Sequence, residues 1–220
     1  MRKLLVQLRR RLADRRGRRV VLLSHCLLDQ NVRYLGGAEA AGGVPDVVDR
    51  YLAEGTGIHQ LPCPERHAWG GVEKRGMLLA FGAAGTPRAP AVRLLSNAFL
   101  RWTRLVYDHL ARRATREVRA YRRAGVEVVG FVGVADSPSC GVHSTLDLRG
   151  AIEAVGRCPL EQLDPRTLNR DVVAAHTRAG EGMFTAALRR RLRDAGVEVP
   201  FAEHRPALPD ELPAPGARET

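Results

Sequence analysis

The sequence predicts a single three-layer, Rossmann-like α/β domain with a mainly parallel sheet. Three observations carry that prediction. Short apolar, β-branched runs alternate with longer stretches whose apolar residues recur every three or four positions. The segment Ala124-Gly125-Val126-Glu127-Val128 returns as Ala195-Gly196-Val197-Glu198-Val199, a helix stop followed by a strand start. And 220 residues suffice for one core, since a domain of this size removes roughly 70% of its unfolded surface from water.

The elements follow in order. Val20-Val21-Leu22-Leu23 reads as the first strand, ending in Ser24-His25-Cys26 and the polar Asp29-Gln30-Asn31. A helix follows, with Pro45 in its first turn, a stripe of Val44, Val47, Val48, Tyr51 and Leu52, and a stop at Gly55. Gly57 to Leu61 is a short strand, closed by Pro62-Cys63-Pro64-Glu65, whose prolines remove backbone donors. Met77 to Phe81 is an apolar run of either type, and Gly82 to Pro90 an exposed connector. Phe99, Trp102, Val106, Leu110, Ala114, Val118 and Tyr121 predict a long helix over about 96–124. The central strand is Val126 to Val134, and Ser137-Pro138-Ser139-Cys140-Gly141 is the tight loop at its end. Residues 151–178 are weakly patterned, a helix runs from about Met183 to Ala195, and Val197-Glu198-Val199 is the last strand.

Charge divides the chain unevenly. Residues 1–19 hold nine Lys and Arg against one acid, Asp14, for a charge of +8, and the other 201 residues carry only 26 minus 23, or +3. The expected organisation is a basic arm over 1–19, the α/β domain over 20–202 and a Pro-rich tail over 203–220. Leu4, Leu5, Leu8 and Leu12 share one face of a short helix and predict docking of the arm on the body. The arm's charge suits an anionic partner such as RNA, and equally a solvated face. No run approaches the ~20 apolar residues that span a bilayer, so no membrane span and a cytoplasmic protein are expected, an organellar transit peptide being the other reading of the Arg-rich start.

Four cysteines without a secretory leader argue for reduced thiols rather than a disulfide framework. Right-handed crossovers put every parallel strand's carboxyl end on one edge. Cys26, Cys63 and Cys140 each follow a predicted strand, with 36 and 76 residues between them, so they are expected to meet at one rim. Thiolates gathered in one place need a cation to neutralise them, which points to a metal centre. Zinc commonly takes closely spaced Cys or His pairs that this sequence lacks, whereas soft sulfur donors also favour iron-sulfur clusters. Each of the three alone is more often a buried inert thiol, and Cys158, which could be a fourth ligand or a persulfide carrier, lies outside any block and reads as a simple free thiol.

Three blocks then match a known pattern in order and placement: Cys26-Leu27-Leu28 with Val32-Arg33-Tyr34; Cys63-Pro64-Glu65 with Gly70-Gly71; and Ser137 to Gly141. They resemble the signature blocks of the thiouracil desulfurase family over roughly residues 20–145, and Gly180-Glu181-Gly182-Met183-Phe184 is similar to its more distant members. The resemblance implies a [4Fe-4S] cluster on Cys26, Cys63 and Cys140, whose open iron takes the sulfur of a thiolated pyrimidine or nucleotide while the thiocarbonyl is hydrolysed without net redox change. It implies Glu65 as the catalytic acidic residue and Ser137 as an assisting hydroxyl. The chain departs from the family pattern at Leu28 to Gly36, at Glu73-Lys74-Arg75-Gly76 and in an insertion over about 82–97, all loops expected to shape the substrate pocket.

Around these blocks, Arg33, Tyr34, Gly70, Gly71 and Ser139 are the candidate substrate contacts. Arg33 and Tyr34 could hold a phosphate or stack on a base, or simply pack on each other. The two glycines either let backbone amides approach a ligand or make a tight turn. His25, His67 and His143 fall near the site, with local hydrogen bonding the plainer role. The expected activity is a non-redox [4Fe-4S]-dependent desulfurase; the alternative is a cluster-bearing module that binds nucleic acid through residues 1–19.

Overall fold

A computed structural model describes residues 2–77 and 90–207. Its centre is a four-stranded, wholly parallel sheet in the order β2-β1-β3-β6, formed by β1 (Arg19–Leu23), β2 (Gly57–Gln60), β3 (Glu127–Val134) and β6 (Phe201–His204). Around it the described chain forms the helices α1 (Arg2–Arg11), α2 (Pro45–Ala53), α3 (Pro64–Ala68), α4 (Pro90–Arg123), α5 (Leu148–Arg157), which lies between the strands of a small antiparallel pair β4 (Ser144–Leu146) and β5 (Thr177–Ala179), and α6 (Met183–Asp194).

Alternation along β1 explains the three layers. Val20 and Leu22 point into a core built with α4 and α6, through Tyr107, Leu110, Ala114, Val118, Phe184 and Leu188. Val21 and Leu23 point to the opposite face, where Leu27, Val44, Val47 and Tyr51 cover them. A strand buried on both faces reads as a continuous apolar run, which is how 20–23 reads.

The order β2-β1-β3 also fixes the site. The chain leaves β1 toward β2 on one side and returns to β3 on the other, which makes the β1/β3 boundary the topological switch point where open α/β sheets bind ligands beyond the carboxyl ends of their strands.

Several expectations are corrected. No strand forms at 197–199. The Val197 N–H closes α6 on the Leu192 carbonyl at 2.9 Å, as the Val126 N–H closes α4 on Tyr121 at 3.0 Å, with Gly196 and Gly125 left-handed between them. The repeated sequence is therefore a helix-ending motif, and pairing with β3 begins only where Pro200 accepts from Phe131. The last strand consequently runs to His204, past the expected domain edge at 202. The stripe on α4 faces the core at Leu110, Ala114 and Val118, with Phe99, Val106 and Tyr121 packed against it, but Trp102 is 54% exposed, and Thr103 and Tyr107, outside the expected stripe, are buried. Leu4, Leu8 and Leu12 stand 58%, 43% and 72% exposed, so this leucine face is not docked on the body. Residues 151–178, weakly patterned in sequence, hold most of α5, a π-helical stretch Thr167–Val173 and β5. The run over 78–81, the connector to residue 89 and the tail beyond 207 lie outside the described residues. Among the described residues no helix is long and apolar enough to cross a membrane.

Candidate functional site

Three strand ends supply the three cysteines. Cys26 sits in a one-turn helix after β1; Cys63 caps α3 after β2, its Sγ accepting the Arg66 N–H at 3.5 Å; Cys140 lies in the loop after β3. All three line one cavity of about 560 Å³, together with Glu65, Lys74, Arg33, Tyr34, Ser137 and Trp69. None of the three is in a disulfide.

The cysteine loop is held from several directions. The Ser137 Oγ accepts the N–H groups of Ser139 at 3.2 Å and Cys140 at 3.0 Å, and the Cys140 carbonyl accepts from Val134. Beneath the loop, the first N–H groups of α6 find their partners: Met183 donates to Pro138, and Phe184 and Thr185 donate to Ser139. Gly182 makes that approach possible, because a Cβ there would collide with the Ser139 carbonyl. From the far side Glu203 on β6 accepts the N–H groups of Val142 at 2.8 Å and His143 at 2.9 Å. Burial alone would raise its carboxyl, and these backbone donors outweigh that and hold it below the usual carboxylate range.

Glu65 stands in the first turn of α3, behind Pro64 at the first helical position. One carboxylate oxygen pairs with Lys74 Nζ at 2.5 Å and the other accepts the Ser139 hydroxyl at 2.9 Å. The Ser139 oxygen lies 2.6 Å from the Tyr107 hydroxyl. Burial first, and then Glu65, push the Tyr107 phenol well above its ordinary value, so it stays protonated and donates. The hydrogen bonds therefore run Tyr107 to Ser139 to Glu65. Lys74 is 6% exposed and adopts φ +53° without being glycine, so a buried charge and an unfavoured backbone coincide at one residue of this wall.

The thiols are conditioned by desolvation. Burial pushes Cys63 up to about 12, with Glu65 adding to it, and raises Cys26 and Cys140 as well; Cys63 and Cys140 both feel Cys26, and Cys140 feels Cys63. A nucleophilic cysteine needs its thiolate favoured, and here free thiolates are disfavoured by burial and by one another. Cation ligation reverses that balance, so these thiols fit ligands better than nucleophiles. Ser24 points the same way: its hydroxyl is buried, unpartnered by oxygen or nitrogen, and beside the Cys140 sulfur, where it would donate to a thiolate. Among the described residues no group of three or more His, Cys, Asp or Glu is arranged to hold a metal ion. A cubane takes one thiolate per iron, so its cysteines ring a volume and do not converge on a point; three soft donors around one cavity, Cys63 and Cys140 buried and Cys26 partly so, fit that requirement.

No family model and no solved structure matches the chain. A stretch of 50 residues, 23% of the chain, is 42% identical to an uncharacterized protein of Methanocaldococcus jannaschii. The match spans 32% of that protein's length, so the chain covers about a third of the curated relative it matches.

The remaining candidates divide between the cavity wall and its support. Arg33 and Tyr34 line the cavity, but the guanidinium lies 5.3 Å over the Tyr34 ring and donates to the Gly37 carbonyl, while the Tyr34 hydroxyl donates to Asn169 at 2.7 Å. Gly70 and Gly71 do not line it; both have φ +89° and turn the chain toward Lys74. Ser139, expected to touch substrate, is 1% exposed and sits behind Glu65 because Tyr107 and the α6 N-terminus enclose it. Ser137 does line the cavity, and its oxygen already serves the loop, which leaves its hydrogen to give. His25 also lines it, and burial keeps its imidazole below the ordinary value; His67 bonds the Cys63 carbonyl and His143 is exposed. Cys158 ends α5 and stays outside the cavity. Sequence reasoning missed Tyr107 and the roles of Lys74 and Glu203: a lysine in a polar loop looks solvated, and nothing local marks a tail residue as a loop clamp.

Proposed function

We propose that this protein is a cytoplasmic [4Fe-4S]-dependent desulfurase that removes sulfur hydrolytically from a thiolated pyrimidine or related thio-compound. The observation that carries this is the meeting of Cys26, Cys63, Cys140 and Glu65 on one cavity at the switch point of the sheet. Cys26, Cys63 and Cys140 would hold the cluster. The chemistry it supplies there is a Lewis-acidic iron with an affinity for sulfur.

The balanced change is C=S plus water to C=O plus H₂S, with no electron donor or acceptor. The chain's own residues handle its protons. Glu65 faces the cavity as a base whose orientation is fixed at both oxygens, by Lys74 and by Ser139 backed by Tyr107. It takes a proton from the attacking water and returns one to the departing sulfur. Ser137 offers a hydroxyl hydrogen to negative charge developing on the substrate. Buried Trp69 and Met77 line the same space and lower the polarity around Glu65, which strengthens each of these interactions.

The test is anaerobic purification, iron and sulfide reconstitution, an absorbance spectrum, and then addition of 4-thiouracil. Cluster absorbance, its loss in Cys63→Ala, and sulfide release are expected. Wild-type protein that takes up neither iron nor sulfide would falsify the assignment.

A second reading, a cluster-bearing module that binds nucleic acid, is favoured by one observation. The side chains described on α1 are solvent-exposed, Arg9, Arg10 and Arg11 among them. It expects salt-sensitive RNA binding that depends on the arm, with no sulfide released from any thiouracil or thiouridine.

A further inference from the structure

The cavity is lined by two chemically distinct sets of residues. The cysteines, Glu65 and Lys74 make one. Every lining residue contributed by the stretch from 146 to 173 is Leu, Ala or Val, and these make the other. Leu148, Ala151 and Val155 come from one face of α5; Leu163, Leu168 and Val172 come from the segment that follows. Ala151, Val155 and Val172 form a small apolar cluster of their own, with Leu163 and Leu168 packed against it. Its apolar wall faces the cavity.

This matters for what the site takes. At about 560 Å³ the cavity falls within the ~300–1,000 Å³ of pockets that enclose drug-sized ligands. The cluster that the three cysteines would hold takes part of this volume, and a bare thiolated ring beside it puts nothing against the Leu, Ala and Val lining, which suits an apolar group. A nucleotide fits worse, because a ribose or phosphate pressed against this wall would be buried without partners. The wall is also tied to the rest of the lining: Asn169, buried between Leu168 and Val172 in sequence, accepts from the Tyr34 hydroxyl and donates to the Gly36 carbonyl at 2.7 Å.

We infer that the substrate is a thio-compound bearing an alkyl or aryl substituent, with its thiocarbonyl beside Glu65 and the cluster that Cys26, Cys63 and Cys140 would hold, and its substituent against the wall of Leu148, Ala151, Val155, Leu163, Leu168 and Val172. The inference rests on the desulfurase assignment for the reaction, C=S plus water to C=O plus H₂S, and on the wall for the substituent.

The experiment is calorimetric binding of 2-thiouracil, 6-methyl-2-thiouracil, 6-propyl-2-thiouracil and 2-thiouridine monophosphate, to cluster-free and to reconstituted protein, with sulfide release measured in parallel. Each buried methylene should tighten binding about four-fold, so the propyl compound should bind on the order of ten-fold tighter than the methyl one, and the nucleotide weakest. Leu168→Trp, which fills the space against the wall, should remove the chain-length dependence; Ala151→Leu is the milder variant with the same expectation. A flat series, a nucleotide that binds tightest, or no binding by any member overturns the inference. Chain-length dependence without sulfide from any compound removes the desulfurase assignment and leaves the wall's apolar ligand supported. Sulfide release with a flat series does the reverse.

Discussion

Lys74 Nζ and Glu65 Oε2 stand 2.5 Å apart with side chains only 8% and 13% exposed, and the pair faces the three cysteines across the cavity. Burial would lower the ammonium's pKa, but Glu65 outweighs it and raises it, so the lysine stays charged. Removing one partner of such a pair strands the other charge, at a cost of about 3–5 kcal/mol. Lys74→Met should therefore lose about that much in urea unfolding, while Lys74→Met/Glu65→Gln should lose clearly less than the two single losses added together. Additive losses would show that the two groups do not interact.

Turnover separates the roles within the same pair. Glu65→Gln should cut sulfide release by ~10²- to 10⁴-fold while iron content and cluster absorbance remain, because no thiol is touched. Loss of iron along with activity would make Glu65 a support for the cluster and not a proton carrier.

Asp108 on α4 is bound by Arg191 and Arg190 of α6 and by Arg112, at 2.6 to 2.9 Å. Hydrogen bonds from Arg191 above all hold its carboxyl down to about 2, against 3.8 ordinarily. A carboxyl whose folded value is depressed stabilises the fold above its unfolded value and loses that contribution as pH falls through the folded one. Asp108→Asn should thus cost about 1 kcal/mol at pH 7 after allowance for solvent screening, with the difference from wild type shrinking between pH 4 and pH 2. Unfolding curves across that range check it; a gap that persists at pH 2 would show that the contribution is not electrostatic.

Much of this was legible in the sequence, for identifiable reasons. β1 and β3 are buried on both faces and so announced themselves as apolar runs, and the cysteines at their ends followed from parallel topology alone. The α4 stripe misses at Trp102, which stays largely exposed and donates to the Ala68 carbonyl, and it passes over Thr103 and Tyr107, which are buried with hydroxyls that pair with Trp69 and Ser139. Polar groups satisfied at a distance carry no local pattern. The same holds for Glu203 and Lys74, whose partners lie 61 and nine residues away. Residues 151–178 were opaque because α5 contributes only a short apolar face there, Ala151 and Val155, and the π-helical stretch Thr167–Val173 departs from the 3.6-residue period by which helices are read.

Gly182 tests the support under the cysteine loop. Its backbone angles suit any residue, so the constraint is contact with the Ser139 carbonyl alone. Gly182→Ala should push that loop away from α6, costing about 1–3 kcal/mol and lowering the iron bound per chain, since Cys140 follows Ser139. Unfolding midpoints and iron analysis read the two effects. Gly42→Ala, where a Cβ meets nothing within 4 Å, is the control.

The basic arm gives the last prediction. Leu4, Leu8 and Leu12 bury little, and among the described residues the side-chain bond that ties residues 2–12 to the body is that from Arg9 to the Ala124 carbonyl at 2.9 Å. A single exposed hydrogen bond is worth on the order of 1 kcal/mol, so deleting residues 2–12 should lower the urea midpoint only slightly. The deletion removes Arg2, Lys3, Arg9, Arg10 and Arg11, five positive charges. If the arm binds RNA, full-length protein should bind with an affinity that falls steeply with salt, and the deletion should flatten that dependence. Equal salt slopes for the two proteins would remove the arm from any RNA contact, and a large fall in stability would mean that the leucine face is covered in solution.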